Sequence, residues 1–217
     1  MAGLNATEWS WAALFLDVDL DGFEDVLVAN GHERAARSLD VSVKLRSLRE
    51  GRQLTSEQIF ENLKLFPRQN SPNLAFRNRG DLTFEDSGTA WGFNFNGVSH
   101  GMAMADLDND GDLDVVVNNL NDPCSFYRND GSAPRVAVRL RGLAPNTRGI
   151  GARITVAGGA VPAQSLEMIC GGRYLSSDDP MRVFAAGSPT NEMTIEVAWR
   201  SGRRSVVLGV KANGIYE

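Results

Sequence analysis

The chain of 217 residues holds only two cysteines and two histidines. Cys124 and Cys170 are too far apart to form a short zinc pair, and the histidine supply cannot complete a zinc or copper centre. Two buried free thiols are expected rather than a disulfide. No apolar run is long enough to span a bilayer. Residues 1–10 lack the charged start and apolar core of a secretion signal, so export would have to be specified outside these residues. There is no excess of basic charge either, since 22 Lys and Arg face 27 Asp and Glu for a net charge of −5. A nucleic-acid partner is therefore not expected. Phosphate-cradling glycine loops, a Gly-x-Ser-x-Gly elbow and a cysteine–histidine dyad are all missing from the sequence, which reads as that of a non-enzyme.

What the chain does have is acid concentrated in two places. Ten of its acidic residues lie in Asp17–Asp25 and Asp106–Asp114, neither of which contains a lysine or arginine. Both stretches follow Asp-x-Asp-x-Asp-Gly-x-x-Asp. Carboxylates at alternate positions of a tight turn converge and repel unless a cation lies among them, and Gly22 and Gly111 permit the reversal. The pattern assigns Asp17, Asp19, Asp21 and Asp25 with the Phe23 carbonyl to one ion. Asp106, Asp108, Asp110 and Asp114 with the Asp112 carbonyl are assigned to a second. All-oxygen ligands of this kind favour Ca2+. An EF-hand would need glutamate at position twelve and flanking helices, but that position is Val28 or Val117 inside a β-branched run.

The loops belong to a repeat. A small-residue and apolar segment precedes each one (Trp11 to Leu16, Gly101 to Ala105), and a short strand follows (Val26 to Ala29, Val115 to Val117). A second echo comes later, as Arg77-Asn78-Arg79-Gly80 and Arg128-Asn129-Asp130-Gly131. The first copy is longer, and its excess falls at about 33–70. There Leu39, Val43 and Leu45 or Leu48 recur at helical spacing, and Thr55-Ser56-Glu57-Gln58 reads as a capping box, predicting two short helices. From about Ala133 the texture becomes period-two strands punctuated by glycine pairs, as in Arg135 to Leu140, Ala152 to Val156 and Met193 to Trp199.

These residues are similar to FG-GAP or VCBS repeats, the integrin-type propeller blades. The C-terminal third resembles an ASPIC/UnbV domain through Gly149-Ile150-Gly151-Ala152-Arg153-Ile154, Gly172-Arg173-Tyr174-Leu175-Ser176-Ser177 and Val197-Ala198-Trp199-Arg200-Ser201-Gly202. It departs from that family where Trp199-Arg200-Ser201-Gly202 replaces Trp-Pro-x-Gly and Phe184-Ala185-Ala186-Gly187 replaces Phe-Gly-Leu-Gly. The pairing of the two resembles the cartilage acidic protein family and its bacterial relatives.

The resulting expectation is a mainly β chain, with partial β-propeller blades over 1–132, a helical insertion at about 33–70, and a small β-sandwich-like domain over 133–217. Two repeats cannot close a ring, so further blades of a longer parent chain are expected, with an exposed edge near residues 8–30. The resemblance implies a secreted, cell-surface or periplasmic scaffold with structural calcium that binds an extracellular protein or a glycan. The alternative is a glycan-binding accessory module of a polysaccharide-degrading system, using Trp91 and Phe93. His32 and His100 read as polar strand-end residues, Trp9, Trp11 and Trp199 as core, and Arg200, Arg203 and Arg204 as a solvated turn. Asp178 and Asp179, adjacent on a strand, point apart and cannot work as paired acids. Asn5-Ala6-Thr7 matches a glycosylation sequon.

Overall fold

In the computed structural model, residues 2–4, 7–35 and 37–217 are described. Asn5 and Ala6 of the sequon lie outside this set. The chain is mainly β, and its first two sheets are the repeats read from the sequence. In the first, β1 (Ser10–Leu16), β2 (Asp25–Asn30), β4 (Leu74–Asn78) and β5 (Phe84–Asp86) lie in that order, all antiparallel. Between β2 and β4 come α1 (Leu39–Arg49), α2 (Ser56–Leu63) and β3 (Ser71–Pro72), which pairs with β6 (Asn96–Gly97). The second sheet orders β7 (Ser99–Ala105), β8 (Asp114–Asn119) and β9 (Ser125–Tyr127). Each acidic loop is the connection of a hairpin, with Leu16 opposite Asp25 and Ala105 opposite Asp114. The described strands form no closed propeller. As expected, β1 is an edge strand.

Alternation decides which faces are buried. In β1, Ala12, Leu14 and Leu16 point inward while Phe15 remains 56% exposed. Met102 and Met104 of β7 and Val115 and Val117 of β8 join the same core. Helix α2 has the anticipated cap, with Gln58 N donating to Thr55 Oγ1 at 3.3 Å and Thr55 N donating to Gln58 Oε1 at 3.0 Å. Neither helix is a core element: Leu45 alone is buried, whereas Leu39 and Val43 are 79% and 68% exposed.

The remaining strands build two more sheets. One orders β13 (Met181–Ala185), β10 (Arg135–Arg139) and β16 (Gly214–Tyr216), and the other orders β12 (Ala163–Glu167), β11 (Arg153–Ala157), β14 (Met193–Ala198) and β15 (Arg204–Val210). They face each other across Val136, Val138, Ile154, Phe184 and Ile195 as a sandwich. The other face of the β13–β10 sheet is also buried. Met181, Val183, Ala185 and Ala137 pack into the core of the two repeats, where the small alanines permit close approach. One sheet thus belongs to two cores. Cys124 and Cys170 are unpaired as expected but exposed rather than buried, because Cys124 precedes the short edge strand β9 and Cys170 lies in a loop.

This shared sheet predicts that the whole chain unfolds in one transition. Val183→Ala removes two methyl groups from the core and should cost roughly 1–3 kcal/mol, lowering the denaturant midpoint of both halves together. Separate transitions, read by Trp11 and Trp199 fluorescence in single-tryptophan variants, would contradict it.

Candidate metal loops

The two loops share one hydrogen-bond skeleton. The first aspartate of each accepts two loop amides: Asp17 takes Asp21 N at 3.0 Å and Gly22 N at 2.8 Å, and Asp106 takes Asp110 N at 3.1 Å and Gly111 N at 3.2 Å. The fifth position accepts from the seventh, as Phe23 N to Asp21 at 2.9 Å and Asp112 N to Asp110 at 3.0 Å. The ninth aspartate, fully buried, accepts from the second position and from the asparagine of the Arg-Asn echo. Asp25 takes Val18 N at 2.9 Å and Asn78 N at 2.8 Å, while Asp114 takes Leu107 N at 2.8 Å and Asn129 N at 2.9 Å. Both turns need two residues with positive φ, Leu20 at 55° and Gly22 at 99°, then Asn109 at 62° and Gly111 at 92°.

This skeleton gives the second echo its purpose. Asn78 and Asn129 carry the amides that clamp the ninth aspartate, and their side chains accept from Gly80 N and Gly131 N, both at 3.0 Å. The preceding arginines reach the third aspartate, Arg77 Nε at 2.5 Å from Asp19 and Arg128 Nε at 4.0 Å from Asp108. Asn129 Nδ2 also donates to the Val18 carbonyl at 2.8 Å, so the second repeat holds the first loop directly.

The carboxylates converge. One oxygen each from Asp17, Asp19 and Asp21 lie within 4.8 Å of one another, and so do oxygens from Asp106, Asp108 and Asp114. Two predicted carboxylates stand outside these triplets. Asp25 spends both oxygens on backbone amides, and Asp110 turns its Oδ2 to Arg135 at 3.0 Å. Phe23 and Asp112 hold the seventh positions, and Phe23 is a half-exposed ring. Asp112 was expected to contribute only its carbonyl, yet its carboxylate is itself buried, 3.5 Å from Arg135 and with no hydrogen bond to either oxygen. Arg135 was readable in the sequence only as a strand residue, because nothing local ties it to a loop 25 residues upstream.

A cation would fit these triplets: the donors are hard oxygens, and crowding penalises their charge. With no ion between them, burial chiefly, helped by neighbouring carboxylates, raises Asp17 and Asp25 from 3.8 to about 7. Burial raises Asp112 to about 7 as well, against the pull of Arg135. Asp21 is also shifted upward by desolvation.

Other singled-out residues fall elsewhere. Phe93 is buried, and Trp91 is partly buried against the same core. Instead Trp9, Trp11, His32, His100 and Tyr174 gather at the opposite end of the hairpins from the acidic loops. Trp11 stacks on His32 at 5.5 Å and meets His100 at 4.7 Å and Tyr174 at 5.2 Å. Trp9 and Trp11 are therefore half-exposed rather than core. Trp199 packs on the sandwich core, and Arg204 pairs with Glu196 beside the expected turn. Asp178 and Asp179 lie in the loop before β13 rather than on a strand, and bind different arginines, Asp178 to Arg173 at 2.9 Å and Asp179 to Arg139 at 3.3 Å.

These shifts set a pH dependence. The folded, ion-free chain holds protons on Asp17, Asp25 and Asp112 up to about pH 7, whereas the unfolded chain releases them near 3.8. The stability they contribute is full below pH 3.8 and lost as pH rises through about 7. Chelator-treated protein should therefore melt at a higher temperature at pH 5.5 than at pH 8. Equal melting temperatures would count against this account.

Comparison with known proteins finds two family matches along the chain. Residues 65–117 match the FG-GAP-like repeat model and residues 142–217 match the ASPIC and UnbV model. Over 60 residues the chain is 40% identical to human (Homo sapiens) cartilage acidic protein 1, a match covering 27% of this chain and 9% of that protein. The chain carries an FG-GAP-like repeat followed by an ASPIC and UnbV domain.

Proposed function

We propose that the chain is a non-enzymatic, calcium-stabilised binding module of a secreted or surface-exposed protein, with its first two sheets serving as blades of a propeller that other parts of a longer chain complete. Its partner is an extracellular protein or matrix component. The observation behind this reading is the duplicated loop skeleton, which spends its backbone amides so as to leave three carboxylates converging in each copy. Asp17, Asp19 and Asp21 would hold one ion, and Asp106, Asp108 and Asp114 the other, with Asp25, Asp110 and the carbonyls of Phe23 and Asp112 nearby. Bound calcium supplies charge neutralisation and rigidity, not reaction chemistry. FG-GAP and ASPIC/UnbV domains point to an extracellular, adhesion-type role. Among the described residues no helix is long and apolar enough to cross a membrane.

Calorimetry should count two Ca2+ per chain, and calcium at a hundredfold excess over Kd should stabilise by about 2.7 kcal/mol per site. Asp106→Ala should remove one site and lower the melting temperature in calcium, while Glu167→Ala, on an exposed strand end, should leave both unchanged. Equal melting with calcium and with chelator would overturn the proposal.

A second reading, glycan recognition, draws on the half-exposed cluster of Trp9, Trp11, His32, His100 and Tyr174 rather than on Trp91 and Phe93. Aromatic faces of this kind stack on sugar rings. On a glycan array, Trp9→Ala should abolish any signal that wild type gives; a blank wild-type array excludes the reading.

A further inference from the structure

A cavity of about 560 Å³ lies where the first hairpin meets the sandwich. Its walls are mostly apolar, with Phe15 and Phe23 from the hairpin and Leu166, Ile169 and Phe184 from the sandwich. One charge stands out on this wall. Arg182 is only 6% exposed, and its guanidinium donates to two backbone carbonyls, Nε to Glu167 at 3.0 Å and Nη1 to Met181 at 2.7 Å. Among the described residues no carboxylate lies within ion-pair distance of it. Asp178 is committed to Arg173 and to Met104 N, Asp179 to Arg139, and Glu24 stands on the exposed rim.

A buried cation with no carboxylate in direct contact is costly, since Asp178, Asp179 and Glu24 act on it only from beyond ion-pair distance and carbonyl dipoles do not neutralise its charge. The cost is recovered if an anion enters. Burial pushes Arg182 below the ordinary arginine range, against the pull of Asp178, Asp179 and Glu24. Two features define the anion. Among the described residues, Arg182 is the guanidinium on this wall without an ion pair, Arg173 being bound to Asp178. With Glu24, Glu167 and Asp17 also on the lining, the cavity matches one negative charge better than a dianionic phosphate. Apolar walls match a hydrocarbon body, and the volume lies in the range of small-molecule sites, roughly 300–1,000 Å³. The forked guanidinium also suits a planar carboxylate.

We propose that this cavity binds a small amphipathic monocarboxylate, its carboxylate on Arg182 and its hydrocarbon against Phe15, Leu166 and Phe184. The site adjoins the first acidic triplet, because Asp17 also lines the cavity, so its test is run with calcium present. The probes are octanoate, 1-octanol as the uncharged counterpart and inorganic phosphate, titrated into the full chain in calcium-containing buffer and followed by calorimetry and side-chain NMR shifts. Octanoate should bind at least about tenfold more tightly than octanol, and phosphate should not compete. Arg182→Gln should erase that preference. Because this variant can also lose stability, two exposed positions provide independent readouts. Glu24→Gln should tighten octanoate a few-fold by removing like charge, and Phe15→Ser should weaken it several-fold while the melting temperature holds. Equal binding of octanoate and octanol, competition by phosphate, no binding of octanoate, or weaker binding by Glu24→Gln would each overturn the proposal.

Discussion

The grip of Asp25 and Asp114 on backbone amides is the constraint on which the repeat depends. Each carboxylate is fully buried at the start of a strand and bonds both the second residue of its own loop and an asparagine amide at or just past the end of the third strand. Charge-assisted bonds of this kind are about twice as strong as neutral ones, and here they join three chain segments at one point. They fix the loop's entry, its exit and the strand alongside. With those settled, the first aspartate can collect two more amides, and the remaining carboxylates have nowhere to go but toward each other. The burial that raises Asp17 and Asp25, with neighbouring carboxylates adding to it, is thus a product of the same bonds that shape the loop.

The same economy appears at the level of sheets. Strands β10 and β13 send alternate side chains to opposite sides, Ala137, Met181, Val183 and Ala185 to the repeats and Val136, Val138 and Phe184 to the sandwich. A two-repeat array cannot bury its hairpin faces alone. The shared sheet does this for part of them and so ties the acidic loops to the C-terminal region. Arg135, at the start of β10, completes the link by donating to the Asp110 carbonyl at 2.7 Å.

Much of this was legible in the sequence because it is local. The hairpins follow from period-two burial around a turn motif, helix α2 from its capping box, and the loops from the spacing of aspartate and glycine. Position-specific carboxylate roles were less legible. Asp25, Asp110 and Asp114 all look like ligands by spacing. Yet Asp25 and Asp114 both bond distant asparagine amides and only Asp114 also joins a triplet, while Asp110 turns to Arg135, 25 residues away. The Arg-Asn echo was visible without its meaning, since sequence alone does not reveal that Asn78 and Asn129 face the ninth aspartate. The aromatic cluster escaped for a similar reason: Trp9, His32, His100 and Tyr174 come from four separate segments, and only the stacking of β1 beside β7 brings them together.

The long-range arginines also make the two loops unequal in a way their identical motifs conceal. Arg77 binds Asp19 at 2.5 Å and approaches Asp21 at 3.6 Å, so it occupies two of the three converging carboxylates of the first loop. In the second loop Arg128 is 4.0 Å from Asp108 and turns instead to Asp130 at 2.7 Å, while Arg135 engages Asp110 and Asp112, which lie outside the Asp106, Asp108 and Asp114 triplet. A cation entering the first loop must displace or share a guanidinium, whereas one entering the second meets carboxylates with weaker competition. On the proposed calcium reading the two sites fill in order, the second before the first, although the nine-residue motifs carry the same four aspartates. The order is set by arginines outside the motif, Arg77 on β4, Arg128 just past β9 and Arg135 on β10.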